Sequence, residues 1–172
     1  MPVTQTPVEQ LNELIRNIKF AMFTTVHSDG LPHSRPMAAQ EADADNLLWF
    51  FTDTNTDKVD AIHENDNVCL SYVDPDGQRY VSVSGTAQLV NNPEKKKELW
   101  NPIYKAWFPK GLDDPKLVLI RVLITAAEYW DVSQGKMMEL RGFARATSPG
   151  EQYRAAGHRE TEFPENRRRS NP

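Results

Sequence analysis

The sequence predicts a mainly β domain with a few short flanking helices: six or seven antiparallel strands closing into a small barrel. Three observations carry this. Segments rich in aromatic and β-branched residues recur along the chain, at 20–27, 47–52, 68–73, 80–90 and 116–130. Compact turn signals such as Ser28-Asp29-Gly30 and Asp74-Pro75-Asp76-Gly77 separate several of them. Helical periodicity is confined to short stretches. Sequential strands with short links pair antiparallel, and at this length closure removes exposed edges.

The elements follow in order. Thr6, Pro7 and Glu9 form a capping box with proline at the first helical position, and Val8, Leu11, Leu14, Ile15 and Ile18 recur at helical spacing. A helix is expected from about residue 7 to 18. Residues 20–27 form the first strand, and the Asp29-Gly30 turn returns the chain as a second strand over 31–40. The polar run 41–46 turns again into a buried third strand, Leu-Leu-Trp-Phe-Phe-Thr at 47–52. A loop of polar residues leads into a short helix at 57–64, with Thr56 as its N-cap. Residues 68–73 and 80–90 are the fourth and fifth strands. Asn92 caps a further helix expected to carry Leu99, Trp100, Ile103, Tyr104, Trp107 and Phe108 and to end near Pro109-Lys110-Gly111. Residues 116–130 form a long sixth strand with a bend at Ala126-Ala127, and a last short strand is expected within 137–146.

Composition bounds the function. The chain has 172 residues, 39% of them hydrophobic, enough for one domain that buries about 70% of the surface it exposes when unfolded. Twenty Lys and Arg against 24 Asp and Glu leave a net charge of −4, which provides no general field for nucleic acid. No apolar stretch reaches membrane-spanning length, and no basic segment followed by an apolar run marks the N-terminus. A single cysteine, Cys69, excludes an internal disulfide framework and reads as a small core residue. The expected location is cytoplasmic. The last 32 residues carry 7 Arg and 4 Glu, so the domain is drawn at 1–147 and a polar, Arg-rich tail at 148–172.

Two segments are candidates for chemistry. After the third strand, Thr52, Thr54 and Thr56 offer hydroxyls, a helix starts, and Lys58 lies in its first turn. Together they make an anion cradle, or else an ordinary capped polar turn. On the second strand, Ser34-Arg35-Pro36-Met37 places a guanidinium where a half-buried strand is expected. Arg35 serves a phosphate there, or faces water from an edge strand that Pro36 marks. Trp49, Phe50 and Phe51, then Trp100, Trp107 and Phe108, then Tyr129 and Trp130 form three aromatic clusters. Trp49 and Phe50 read as core; Trp107 stands where a side chain projects into a neighbouring subunit. His27 and His33 flank one hairpin and approach each other across it, as surface residues. The four histidines lack metal-ligand spacing, and no hydrolytic motif is present.

The segments FTTVHSDGLPHSRPM, LWFFTDTNTDKVDAI, YVSVSGTAQLV, LWNPIYKAWFPKGLDDP and AEYWD, in this order, resemble the pyridoxamine 5′-phosphate oxidase-like flavin-binding split β-barrels. Within them the chain is most similar to the general stress protein 26 branch, over about residues 8–146. The resemblance implies FMN bound at a homodimer interface. It places Arg35 on the FMN phosphate, Pro36 and Met37 along the ring and ribityl, and Phe51 and Thr52 at the strand end beside them. Lys58 matches a phosphate-binding lysine, with Thr56 and Asp57 next to it. Trp107 and Trp130 match positions that approach the flavin from the partner subunit.

Two departures from the family pattern stand out. Asp57 occupies a position where the oxidase has an arginine, and no Arg-x-His element follows Trp130. Synthesis of pyridoxal phosphate is therefore not expected. The resemblance implies an FMN-dependent oxidoreductase of unknown substrate, with NADH or NADPH as candidate donor and no side chain assigned as catalytic. The alternatives are a non-catalytic flavin store or sensor, or haem or a deazaflavin in the same groove.

Overall fold

A computed structural model of the chain describes residues 5–132 and 135–140. Seven strands form one antiparallel sheet: β1 (Phe20–Val26), β2 (Pro32–Ala38), β3 (Leu47–Asp53), β4 (Asn67–Asp74), β5 (Arg79–Val90), β6 (Leu117–Asp131) and β7 (Lys136–Leu140). Their order is β2-β1-β4-β5-β6-β3, with β7 also on β6. The sheet curls into a half-barrel, so its terminal strands β2 and β3 approach from opposite ends of that order. Among the described residues three α-helices flank it: α1 (Pro7–Ile15), α2 (Asp57–Glu64) and α3 (Pro93–Leu99).

The longest strand explains the split. One edge of β6 pairs with β5 from Asp131 back to Leu119. The other edge is divided: residues 117–123 pair with β3 and residues 127–131 with β7. The register with β5 shifts between Ser84 and Gly85, leaving Thr125 as the extra residue, so the irregularity precedes the expected Ala126-Ala127 bend. Gly85 is required there, because a Cβ would stand 2.5 Å from the Leu123 carbonyl oxygen.

Alternation builds the main core. Ala21 and Phe23 of β1, Val68, Leu70 and Tyr72 of β4, Val81 and Val83 of β5, and Ile120 and Val122 of β6 point inward, and Leu11 and Ile15 of α1 pack against them. β3 does not alternate. Leu48 and Phe50 join the main core, while Trp49 and Phe51 enter a second cluster with Tyr104, Leu117 and Leu119. A strand covered on both faces has a continuous apolar sequence, which accounts for the run at 47–52.

Several expectations are corrected. The capping box at Thr6 forms, but α1 stops at Ile15 rather than residue 18. The helix after Asn92 is broken: α3 ends at Leu99, and a 3-10 turn follows over Pro102–Ala106. Pro102 cannot donate into a continuing helix, and Asn101 recaps the chain by accepting from the Ile103 N–H at 3.1 Å. Thr56 occupies the N-cap position of α2 without a side-chain capping bond. Cys69 is half-buried, its Sγ 3.6 Å from the Ser82 hydroxyl, rather than a core residue. The last strand spans Lys136–Leu140; its expected extension to 146 and the tail at 148–172 lie outside the described residues.

Candidate functional site

The cleft opens at the seam between the two terminal strands. It has a volume of about 240 Å³. Arg35, Pro36 and Met37 line it from β2, Phe51, Thr52 and Asp53 from β3, and Thr56 and Lys58 from the start of α2. Phe20, Tyr104, Trp107 and Phe108 close the other end. Pro36 lacks an N–H, which suits an edge strand that does not seal the seam.

One end is cationic. β3 ends at Asp53 and α2 begins four residues later, so Lys58 turns back over the strand it has just left. Its Nζ donates to the Thr52 hydroxyl at 3.1 Å and the Thr56 hydroxyl at 3.3 Å. Both hydroxyls in turn donate to the Asp53 carbonyl, at 3.3 and 3.1 Å. Thr56 thus spends its side chain on Lys58 and the loop instead of capping the helix. Two of the three ammonium hydrogens are engaged this way.

Arg35 enters from β2. Its register partner is Phe23, which fixes it on the inner face, and its guanidinium donates to the Thr25 hydroxyl at 2.7 Å. Thr25 is completely buried, an inward-facing polar residue on β1 with this arginine as its partner. Burial lowers the pKa of Arg35, with the nearby Asp57 carboxylate opposing. Lys58 is held below the ordinary lysine range, first by burial and then by the Arg35 charge; Asp53 and Asp57 oppose this. Two partly desolvated cations that repel one another form a site whose charge is relieved by a bound anion.

The other end is aromatic. Phe51 stands edge-on to Trp100 at 5.5 Å and tilted against Tyr104 at 5.3 Å and Phe108 at 6.4 Å. Trp107 packs edge-on against Phe20 at 5.9 Å yet remains 53% exposed. Burial raises the pKa of the Tyr104 phenol, with a Gln40 hydrogen bond partly compensating, so it is neutral at physiological pH.

The structure therefore brings together Arg35, Pro36, Met37, Phe51, Thr52, Thr56, Lys58 and Trp107. Asp57 does not line the cleft; it acts on Arg35 and Lys58 through its charge. Trp130 is not brought to this cleft. It pairs with Tyr80 at one end of β6, whereas Val118, opposite Thr52, marks the cleft at the other. Sequence reasoning did not single out Phe20, Thr25, Asp53 or Tyr104 as site residues. Thr25 had a readable signal, a hydroxyl at an inward position of an alternating strand. Phe20 had none, because its place depends on the Pro102–Ala106 turn folding back across the sheet edge. Among the described residues no group of three or more His, Cys, Asp or Glu is placed to hold a metal, and no helix is long and apolar enough to cross a membrane.

A curled antiparallel sheet with a cationic and aromatic cleft at its open seam defines a split-barrel protein. The chain belongs to the pyridoxamine 5′-phosphate oxidase like family, whose model matches residues 6–154. Protein bli-3 of Neurospora crassa is 31% identical over 140 residues, which cover 73% of this chain and 67% of that protein. The crystal structure of general stress protein 26 from Bacillus anthracis superposes with a TM-score of 0.65 at 25% identity, covering 77% of this chain and 97% of the other. A general stress FMN/FAD binding protein from Xanthomonas citri gives a TM-score of 0.61 at 25% identity, covering 81% of this chain and 96% of the other.

Proposed function

We propose that the protein binds a flavin nucleotide, FMN, in this cleft as a homodimer and acts as an oxidoreductase. The observation that carries the reading is the convergence of Arg35 and Lys58 on one cleft whose far end is aromatic. A terminal phosphate dianion satisfies both cations, with the Thr52 and Thr56 hydroxyls as further partners. The planar ring then lies between Met37 and the Phe51–Tyr104–Phe108 wall. Bound flavin supplies hydride chemistry of its own; this chain's residues hold the phosphate, flank the ring and exclude water. The FMN/FAD binding relative from Xanthomonas citri supports the same ligand class.

Two observations support a dimer. The cleft volume, about 240 Å³, is below the ~300–1,000 Å³ typical of pockets that enclose a whole ligand, so one chain supplies part of the site. The outer sheet face carries Phe20, Met22, Val73 and Tyr80, all more than 40% exposed. Register places Trp130, opposite Tyr80, on that same face. In a two-fold pair the far end of one sheet reaches the cleft of the other, which gives Trp130 a role its own cleft denies it.

A second reading, flavin held without turnover, is favoured by one feature. At the aromatic end, none of the described lining residues is a histidine or a carboxylic acid. Among the described residues that line the cleft there is no imidazole to serve as an axial haem ligand. The visible spectrum of the purified protein, followed by anaerobic mixing with NADH or NADPH, tests these readings. Flavin bands that bleach on mixing support the oxidoreductase, and flavin bands that persist support the holding role. A protein with no flavin bands that takes up no added FMN overturns both.

A further inference from the structure

The phosphate end of the cleft holds carboxylates as well as cations. Asp53 lines it beside Arg35 and Lys58. Asp57 begins α2 immediately before Lys58 and is exposed. Both carboxylates act on Lys58 through their charge, and Asp57 acts on Arg35 as well. Among the described residues neither forms an ion pair with either cation. Asp53 Oδ1 instead accepts from the Asn55 N–H at 2.7 Å, which ties that side chain to the loop. The cations therefore keep donors for a ligand. Lys58 has one ammonium hydrogen beyond those given to Thr52 and Thr56, and Arg35 gives one bond to Thr25. Their field is a different matter. Two positive charges stand against two negative ones, and the α2 N-terminus adds about half a positive charge. That sum falls well short of the two negative charges a phosphate monoester dianion brings. The flavin reading uses the donors and leaves the carboxylates without a role.

We propose that Asp57, together with Asp53, keeps the phosphate end close to electrical neutrality, so that the flavin is an exchangeable ligand, taken up and released, rather than a permanently resident group. This rests on the flavin reading above and deepens it. Donors give the phosphate its position, because a hydrogen bond depends on geometry. Net charge sets how strongly a dianion is drawn in. With the field cancelled, the cleft recognises the phosphate but holds it loosely. Asp57 is the member that sets this balance most simply. It is exposed, so its charge acts through solvent and weakens with salt, whereas Asp53 also supports the loop.

Fluorescence titration of the full-length protein with FMN and with riboflavin, which lacks the phosphate, repeated on Asp57→Asn and Asp57→Lys, tests this. Asp57→Asn tightens FMN by about fivefold at low ionic strength, and Asp57→Lys by more. Riboflavin affinity changes by less than about twofold, or stays too weak to measure in all three proteins. The gain for FMN shrinks in high salt. On a desalting column the FMN-loaded wild type gives up its flavin, and Asp57→Lys retains a larger share. Thermal melts of both variants close to wild type confirm that the fold is intact. Unchanged FMN affinity in both variants, an equal gain for both ligands, or a wild type that keeps all its FMN through the column overturns the exchangeable site while leaving the flavin reading standing. Failure of the wild type to bind either flavin overturns both.

Discussion

The Lys58 ammonium lies 3.1 Å from the Thr52 hydroxyl, although the two residues belong to different elements, the start of α2 and the end of β3. The short Asp53–Thr56 loop makes this contact possible. It also aims the lysine at the seam, where Arg35 arrives from the far edge of the sheet order. Burial first, and then the charge of Arg35, hold the Lys58 pKa below the ordinary lysine range. Such local destabilisation is common where a ligand supplies the missing charge.

Replacing Lys58 separates binding from stability. Lys58→Met is expected to weaken FMN by about 1–3 kcal/mol, the range for losing a charge-assisted hydrogen bond. The ligand-free variant should unfold at the same temperature as wild type or a higher one, because a desolvated and repelled charge is removed. Flavin fluorescence titration and a thermal melt measure the two quantities. Unchanged affinity, or a clear loss of ligand-free stability, contradicts the assignment.

The pH dependence of binding has a defined sign. In the free protein Lys58 loses its proton below the ordinary lysine range, whereas a bound dianion favours the charged form. Binding therefore takes up a proton on the alkaline side, and affinity falls as pH rises through the depressed Lys58 pKa. On the acid side affinity falls below about pH 6, where the phosphate dianion takes up a proton and becomes a monoanion. Lys58→Met should keep the acid limb and lose the Lys58 component of the alkaline one. Affinity measured across pH for both proteins decides it.

Thr25→Val removes the acceptor for the Arg35 guanidinium at nearly constant volume. Thr25 is fully buried and the bond is 2.7 Å. The expected outcome is a stability loss of about 1–3 kcal/mol from the unpaired donor, together with weaker FMN binding. Urea unfolding gives the first and titration the second. A variant that loses stability but binds FMN normally would show that Thr25 does not position Arg35.

Gly85→Ala tests the split of the barrel. The added Cβ meets the Leu123 carbonyl oxygen at 2.5 Å and Val122 Cγ1 at 2.7 Å. The close approach is backbone against backbone, so little can yield, and a loss of about 1–3 kcal/mol is expected. Because Leu123 and Val122 also pair with β3, the strain should reach the cleft. Chemical denaturation with an unchanged m-value is the check, and a neutral substitution would show that the β5–β6 approach is looser than described.

Much of the fold was legible because its signals are local. The Thr6–Glu9 capping box, the Asp29-Gly30 hairpin and the alternation in β5 each depend on residues within a few positions of one another, and each forms where expected. The break at Pro102 was also written locally, but the aromatic periodicity after Asn92 masked it. Arg35 and Lys58 stood out by residue type, each with a bland alternative. Nothing in either segment decided between the two.

The sequence by itself determined the strands, the hairpin and the identity of the cations. Only the tertiary structure decided that those cations share a site. β2 and β3 occupy opposite ends of the hydrogen-bonded order, and neither pairs with the other along that path. Their meeting requires that the whole sheet twist and curl until its edges approach. Curl is the sum of small rotations over all the intervening strands, with the bulge at Thr125 and the bare backbone of Gly85 among its contributors. No window of sequence contains that sum.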